Sequence, residues 1–329
     1  MPYRLLQGGR RRRRRRRGRA ALLLLLALAA TLLIAPSAGR PPLVRSAPAP
    51  DLPVESGTAP LAGGGTAPSP LAVRLEDPRD SVHLRLKRPP KAGLLFDVDT
   101  GRVLWRHEPE RVLPIASLTK MMTGLLVVNR LREGARVKVT REALGYRGSG
   151  VGLLPRGKRI GVSTMLHGLM LPSGNDAAIA LAQRAAGTVP RFVRLMNAKA
   201  QAMGLACTRF SSPHGLREAG NHSCTADLAA LARAVLREPR LARVVRRRSA
   251  ILPFPIKGGR LYLYNSNPLL RSGYRGTTGI KTGYTRAAGR CFVATARRRG
   301  VKLGVVLLDS PDPGRQATKL LDRGFARSL

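Results

Sequence analysis

The 329 residues carry 59 Lys and Arg against 18 Asp and Glu, a formal net charge of +41, with 43% hydrophobic and only 4% aromatic residues. That length allows one large or two small domains, and the apolar share is enough for a packed core, which excludes wholesale disorder. Scarce aromatics argue against reading single-stranded nucleic acid by base stacking, no Cys-x-x-Cys or His-Glu-x-x-His spacing offers a zinc site, and no solenoid-length period repeats.

Residues 1–39 hold ten of the arginines and no acid, including an unbroken run from Arg10 to Arg17, followed by the uncharged Leu/Ala-rich stretch Ala20 to Ala35. A positive region followed by an apolar one is the layout of an export signal. Pro36 sits at the third position before a cut after Ala38 and makes that site poor, so a retained anchor is expected over a cleaved signal. The basic flank puts the N-terminus in the cytoplasm and the rest outside. A basic arm for nucleic acid has no need of the apolar run, and nucleic acid is not an expected partner. The excess charge on the body points to anionic surfaces, a wall polymer or a membrane face.

Residues 40–90 turn to Pro, Gly, Ala and Ser, with Gly63-Gly64-Gly65 and Ala67-Pro68-Ser69-Pro70, and read as a spacer. Residues 91–329 read as one folded domain. Strands are expected over Gly93 to Val98 and Val103 to Arg106, joined by a turn at Asp99-Thr100-Gly101. Helices are expected over Leu118 to Leu131, Thr164 to Leu171, Asp176 to Ala186, Pro190 to Met203 and Thr225 to Leu236. A hairpin from Arg290 to Arg297 and Val301 to Leu308 follows, then an amphipathic helix from Gln316 to Ala326. Strands at both ends with helices between predict an α/β (α+β) domain whose sheet is assembled from its two ends.

The chemistry concentrates at three places. There is no Gly-x-Ser-x-Gly elbow, and the five His are scattered, so a Ser-His-Asp hydrolase has little support. Ser117-Leu118-Thr119-Lys120 stands at the start of the first long helix, with Ser117 and Lys120 one turn apart on one face. Capping explains the serine alone, because a cation in the first turn opposes the helix dipole by ~0.3–1 kcal/mol. A nucleophile with its base explains both: a lysine whose pKa is lowered by desolvation or by a second cation accepts the hydroxyl proton. Ser173-Gly174-Asn175 offers a hydroxyl and an amide on a tight turn; by itself it reads as an ordinary turn and cap. Lys281-Thr282-Gly283 lies in a strand-like stretch and by itself reads as an exposed edge strand with a protective lysine.

Taken together, Ser117-x-x-Lys120, Ser173-x-Asn175 and Lys281-Thr282-Gly283, at intervals of 56 and 108 residues, resemble the three signatures of the penicillin-recognising serine enzymes. With the flanks Pro114 to Thr123, Asp176-Ala177, Pro213-His214-Gly215-Leu216 and Gly279 to Thr285, the chain from about Ala92 onward is similar to the low-molecular-weight D-alanyl-D-alanine carboxypeptidases. The resemblance implies a DD-peptidase fold with a sheet, flanking helices and a mostly helical lobe. It implies that Ser117 attacks the carbonyl between two terminal D-alanines of a peptidoglycan stem peptide, that Lys120 takes its proton, and that Ser173, with Lys120 and Lys281, relays the proton to the departing D-alanine. Asn175 is to hold the substrate amide or the Lys120 ammonium, Lys281 and Thr282 the terminal carboxylate, and the backbone N–H groups of Ser117 and Tyr284 the oxyanion beside Gly283. No metal or organic cofactor is implied, and β-lactams are implied as covalent inhibitors.

Some relatives carry Arg in the middle of the Asn-x-Asn element, where this chain has Asn265-Ser266-Asn267, so a carboxylate role does not transfer there. The chain runs about 46 residues past Gly283, without the β-domain and anchor helix of many relatives, and attachment is expected from the N-terminal segment. A DD-endopeptidase and a serine β-lactamase share the chemistry. The lactamase needs a deacylating carboxylate, for which Glu238-Pro239-Arg240-Leu241 is a faint echo only. A non-catalytic wall-binding module is the alternative of a different class. Cys207 and Cys224, flanking His214, are expected to form a bridge worth ~3 kcal/mol. Cys291 is expected to be a buried apolar residue, and His214 to structure its loop.

Overall fold

The apolar, β-branched runs from the two ends of the domain pair with each other. The structure, a computed structural model, describes residues 69–77, 80–216, 220–255 and 259–328. In chain order its elements are β1 (Ala92–Asp97), β2 (Val103–His107), β3 (Leu113–Pro114), a 3-10 turn (Ala116–Thr119), α1 (Lys120–Arg130), β4 (Arg136–Lys138), α2 (Arg141–Leu144), β5 (Arg159–Gly161), α3 (Val162–Met170), α4 (Asn175–Ala186), α5 (Val189–Ala202), β6 (His222–Ser223), α6 (Thr225–Arg237), α7 (Pro239–Val245), β7 (Ser249–Pro253), β8 (Arg260–Tyr264), α8 (Pro268–Ser272), β9 (Thr277–Thr285), β10 (Gly289–Arg298), β11 (Val301–Leu308) and α9 (Pro313–Ser328).

The main sheet is antiparallel with the order β2-β1-β11-β10-β9. Leu94 of β1 and Val293 of β10 both lie opposite Val306 of β11, so the last strand of the chain sits between the first and the penultimate one. Period-two alternation sorts the strand residues into two layers. Val293, Val306 and Leu308 face helix α6, while Phe292, Ala294, Leu303, Val305 and Leu307 face α9. Helix α9 meets them with Ala317, Leu320, Leu321 and Phe325, a three-and-four spacing that makes one apolar stripe. Each such Leu or Phe contributes ~1.5–3 kcal/mol by leaving water. Helix α1 is buried from Lys120 to Val128 and forms the centre of the other layer, which is why its sequence is apolar on every side.

Local chemistry sets the joints. Between β1 and β2, Asp97 Oδ1 accepts from the Thr100 amide at 2.7 Å and from its hydroxyl at 2.9 Å, and Gly101 takes φ +79°. Thr188 caps α5, and Pro190 lies in its first turn. Asn267 caps α8 by accepting from the Leu269 and Leu270 amides. The expected helices and the β10–β11 hairpin are present within a few residues. Elements β3, β4, β5, β6, α2, α7, α8 and the β7–β8 ribbon are additions to the expected set; all are short, and each offers little periodicity to read.

The segment whose composition reads as spacer is laid against this domain from residue 69 onward. Arg233, buried in α6, donates to the carbonyls of Leu71, Ala72, Val98 and Asp99. Arg106 binds Asp80 at 2.7 Å and the carbonyls of Leu75 and Asp77. Val82 is buried, and Trp105 Nε1 donates to Leu84 O. Among the described residues no helix is long and apolar enough to cross a membrane, and the expected anchor, Ala20 to Ala35, lies outside them.

Candidate active site

The nucleophile candidate is set by a strained turn. Ala116 has φ +48°, and the 3-10 turn it opens carries Ser117 between β3 and the buried α1. Ser117 makes no capping bond, so the capping account of the Ser-x-x-Lys pair does not hold. Lys120 begins α1, is fully buried, and its Nζ reaches Ser117 Oγ at 2.8 Å, Asn175 Oδ1 at 2.7 Å and His214 O at 2.9 Å. All three partners are neutral. Burial therefore pushes the Lys120 pKa well below its ordinary value, the positive charge of Lys281 pushes it further down, and Asp176 pulls it back in part. A lysine in this state has two N–H groups for Asn175 and His214 and a lone pair for the Ser117 proton.

The second motif closes the cage. Ser173 has φ +67° and is buried, its Oγ without a hydrogen-bond partner. Asn175 begins α4 and divides its amide, with Oδ1 to Lys120 and Nδ2 donating to Arg147 O at 2.6 Å. Of the two expected uses of Asn175, holding Lys120 is the one the geometry displays. Asp176, fully buried, accepts from the amides of Val151, Gly152 and Ala177, fixing the 149–152 loop as a wall of the site.

The third motif lies on the sheet edge. Strand β9 is an edge strand, as its composition suggests, but Lys281 is 1% exposed and does not guard it. Its Nζ donates to Thr282 O at 2.8 Å, and burial lowers its pKa to about 7. Thr282 Oγ1 stands 2.6 Å from Ser266 Oγ. Gly283 lies so near the nucleophile turn that an added Cβ would come 3.0 Å from Ile115 O and 3.1 Å from Ser117 N. Tyr284, the next residue, is exposed. Ser117, Lys120 and Asn175 are thus directly joined, Lys281 is coupled to Lys120 by charge, and Gly283 abuts the turn that carries Ser117.

Three contributors were not singled out as site residues from sequence. The His214 carbonyl accepts from Lys120, and Ser117 Oγ lies 3.5 Å from it; a backbone carbonyl leaves no residue-type signal. His214 does structure its loop, since its Nδ1 accepts from Leu216 N. Asp176 and Ser266 are the others, each identified only by its contacts. Cys207 and Cys224 are bridged, as expected, and Cys291 is buried. Asp227 lies beside the bridge, but it is bound by Cys207 N and Thr208 Oγ1 and both sulfurs are used, so this group does not make a metal site. No hydrogen bond of Ser117 or Lys120 goes to Glu238, which lies between α6 and α7.

A family profile described as D-alanyl-D-alanine carboxypeptidase matches residues 86–312. Among curated proteins, D-alanyl-D-alanine carboxypeptidase DacF of Bacillus subtilis is 34% identical over 245 residues, 72% of this chain and 62% of that protein. DacB2 of Mycobacterium tuberculosis is 33% identical over 246 residues, 72% of this chain and 83% of that protein. The chain spans about 62% of the length of the first curated relatives it matches. Among solved structures, a D-alanyl-D-alanine carboxypeptidase of Mycobacterium tuberculosis superposes with TM-score 0.69 at 31% identity, covering 74% of this chain and 94% of that one. A mutant of a Streptomyces DD-transpeptidase does so with TM-score 0.68 at 31% identity, covering 74% of this chain and 100% of that one.

Proposed function

The chain belongs to the D-alanyl-D-alanine carboxypeptidase family, and from that premise we propose that it is a serine DD-carboxypeptidase, removing the terminal D-alanine of peptidoglycan stem peptides through an acyl-enzyme on Ser117. The observation that carries this reading is the 2.8 Å contact between Lys120 Nζ and Ser117 Oγ inside a cage of neutral acceptors. In that cage the amine sheds its proton more readily than in water and takes the one Ser117 gives up.

The steps balance on these residues. Ser117 Oγ bonds to the carbonyl carbon of the penultimate D-alanine as its proton passes to Lys120. The backbone N–H groups of Ser117 and Tyr284 hold the oxyanion, a term of ~2.7–4 kcal/mol per donor. The C–N bond then breaks, and the proton returns from Lys120 through Ser173 Oγ to the amine of the leaving D-alanine. Water gives a proton to the neutral Lys120 and attacks the ester carbonyl; as the acyl C–Oγ bond breaks, that proton passes from Lys120 to Ser117 Oγ. Lys281 and Thr282 hold the substrate's terminal carboxylate, and Asn175 keeps Lys120 aimed. β-Lactams enter the same acylation and remain as long-lived esters.

We place this domain, residues 91–329, outside the cytoplasmic membrane, carried by the N-terminal basic and apolar segment, with anionic wall polymer or membrane surface as its neighbour. The test is labelling by a fluorescent penicillin, read on a gel together with D-alanine released from a stem pentapeptide. The unaltered protein is expected to label and to release D-alanine, and Ser117→Ala and Lys120→Ala to do neither. Wall binding that persists with no labelling of the unaltered protein would instead establish the non-catalytic module.

A further inference from the structure

The hydroxyl pair of Thr282 and Ser266, 2.6 Å apart, marks where the carboxylate end of the proposed cleft meets a second space. Ser266 also lines an open pocket of about 790 Å³, together with Arg248 at the start of the β7–β8 ribbon, Arg271 and Ser272 of α8, and Tyr264. No carboxylate lines it. None of the ion pairs among the described residues uses either arginine. Tyr264, 71% exposed, adds an aromatic side chain to the lining.

This space is far larger than the terminal carboxylate of an alanine requires, and it adjoins the third motif through Ser266, whose hydroxyl stands 2.6 Å from that of Thr282. We propose that it is an anion subsite on the leaving-group side of the cleft, in which Arg248 and Arg271 take a further carboxylate carried by a departing residue larger than alanine. The proposal rests on the DD-carboxypeptidase reading of the cleft. The chemistry is that reading's own: the same C–N bond breaks, the same proton passes to the leaving amine, and only the recognition of what leaves is new. Guanidinium groups suit a carboxylate because their donors are fixed in a planar fork.

The experiment compares two synthetic peptides with one acyl portion and either D-glutamate or D-glutamine as the terminal leaving residue, isosteres that differ by one charge. The unaltered enzyme is expected to show a kcat/KM about three- to tenfold higher for the D-glutamate peptide, the range that two exposed ion pairs supply. Arg271→Gln and Arg248→Gln are each expected to lower that ratio, and the double variant to bring it to about one. Raised salt should lower the ratio in the unaltered enzyme as well. A ratio near one in the unaltered enzyme, or a preference that survives the double substitution, overturns the subsite. Failure of the catalytic reading is separately visible, because the unaltered protein then takes no penicillin label.

Discussion

At the scale of single residues, the site depends on one buried amine being kept short of its proton. Two influences lower the pKa of Lys120: burial, which is fixed by the fold, and the positive charge of Lys281, which a single substitution removes. A base works only when deprotonated, so the rate of acylation should rise with pH as Lys120 loses its proton. Replacing Lys281 by Gln removes the positive neighbour, lets the Lys120 pKa climb, and moves this acid limb to higher pH. The second-order rate constant of penicillin acylation, measured across pH for both proteins, checks it; an acid limb that stays in place would show that Lys281 does not help to set the pKa. Much of this was legible. Ser117 and Lys120 stand one turn apart in the sequence, and a cation in a first turn lacks a capping explanation. The third acceptor of Lys120 was not legible, because it is the carbonyl of His214 and carries no side-chain signature.

Between elements, the site is a seam where the edge strand β9 runs along the turn that carries Ser117. Gly283 makes that closeness available. A Cβ there would press on Ile115 O, Ser117 N and Ala116 Cβ at 3.0 to 3.2 Å, two of them backbone atoms that cannot swing away. Gly283→Ala should therefore move β9 outward and spoil the donor geometry between Ser117 and Tyr284. Loss of one such donor costs about 10²–10³ in turnover, and penicillin acylation should fall by about that factor while the melting temperature changes little. Acylation within a few fold of the unaltered rate would mean that the seam absorbs the methyl group. Gly215 makes the same argument from the other wall, since a Cβ there would collide with Ala116 O. The main elements around this seam followed from periodicity, because β10 and β11 are apolar on both faces and α9 on one stripe. The β7–β8 ribbon did not. Its strands alternate buried and exposed residues, but Ile251 and Tyr262 lie on the exposed face, so apolar residues on the water side hide the alternation that would have announced it.

For the whole molecule, composition was informative about charge and less so about where the fold begins. Pro, Gly and Ala argued for a spacer up to Pro90, yet the part from residue 69 is tied down by Arg233 and Arg106, whose partners are mostly backbone carbonyls and so are invisible in composition. The charge needs no such partner to act. With 59 cationic and 18 acidic side chains, pairing every acid still leaves the chain strongly positive, and the proposed location sets that charge against a polyanionic wall. Attraction of this kind is carried by exposed groups and fades as the screening length shrinks from ~10 Å in 0.1 M salt to ~3 Å in 1 M. The protein is therefore expected to sediment with a phosphodiester wall polymer at low ionic strength and to be released as salt approaches 1 M. Ser117→Ala should behave identically, because it leaves the charge untouched, and polymer binding indifferent to salt would assign retention to a specific pocket instead of the overall field.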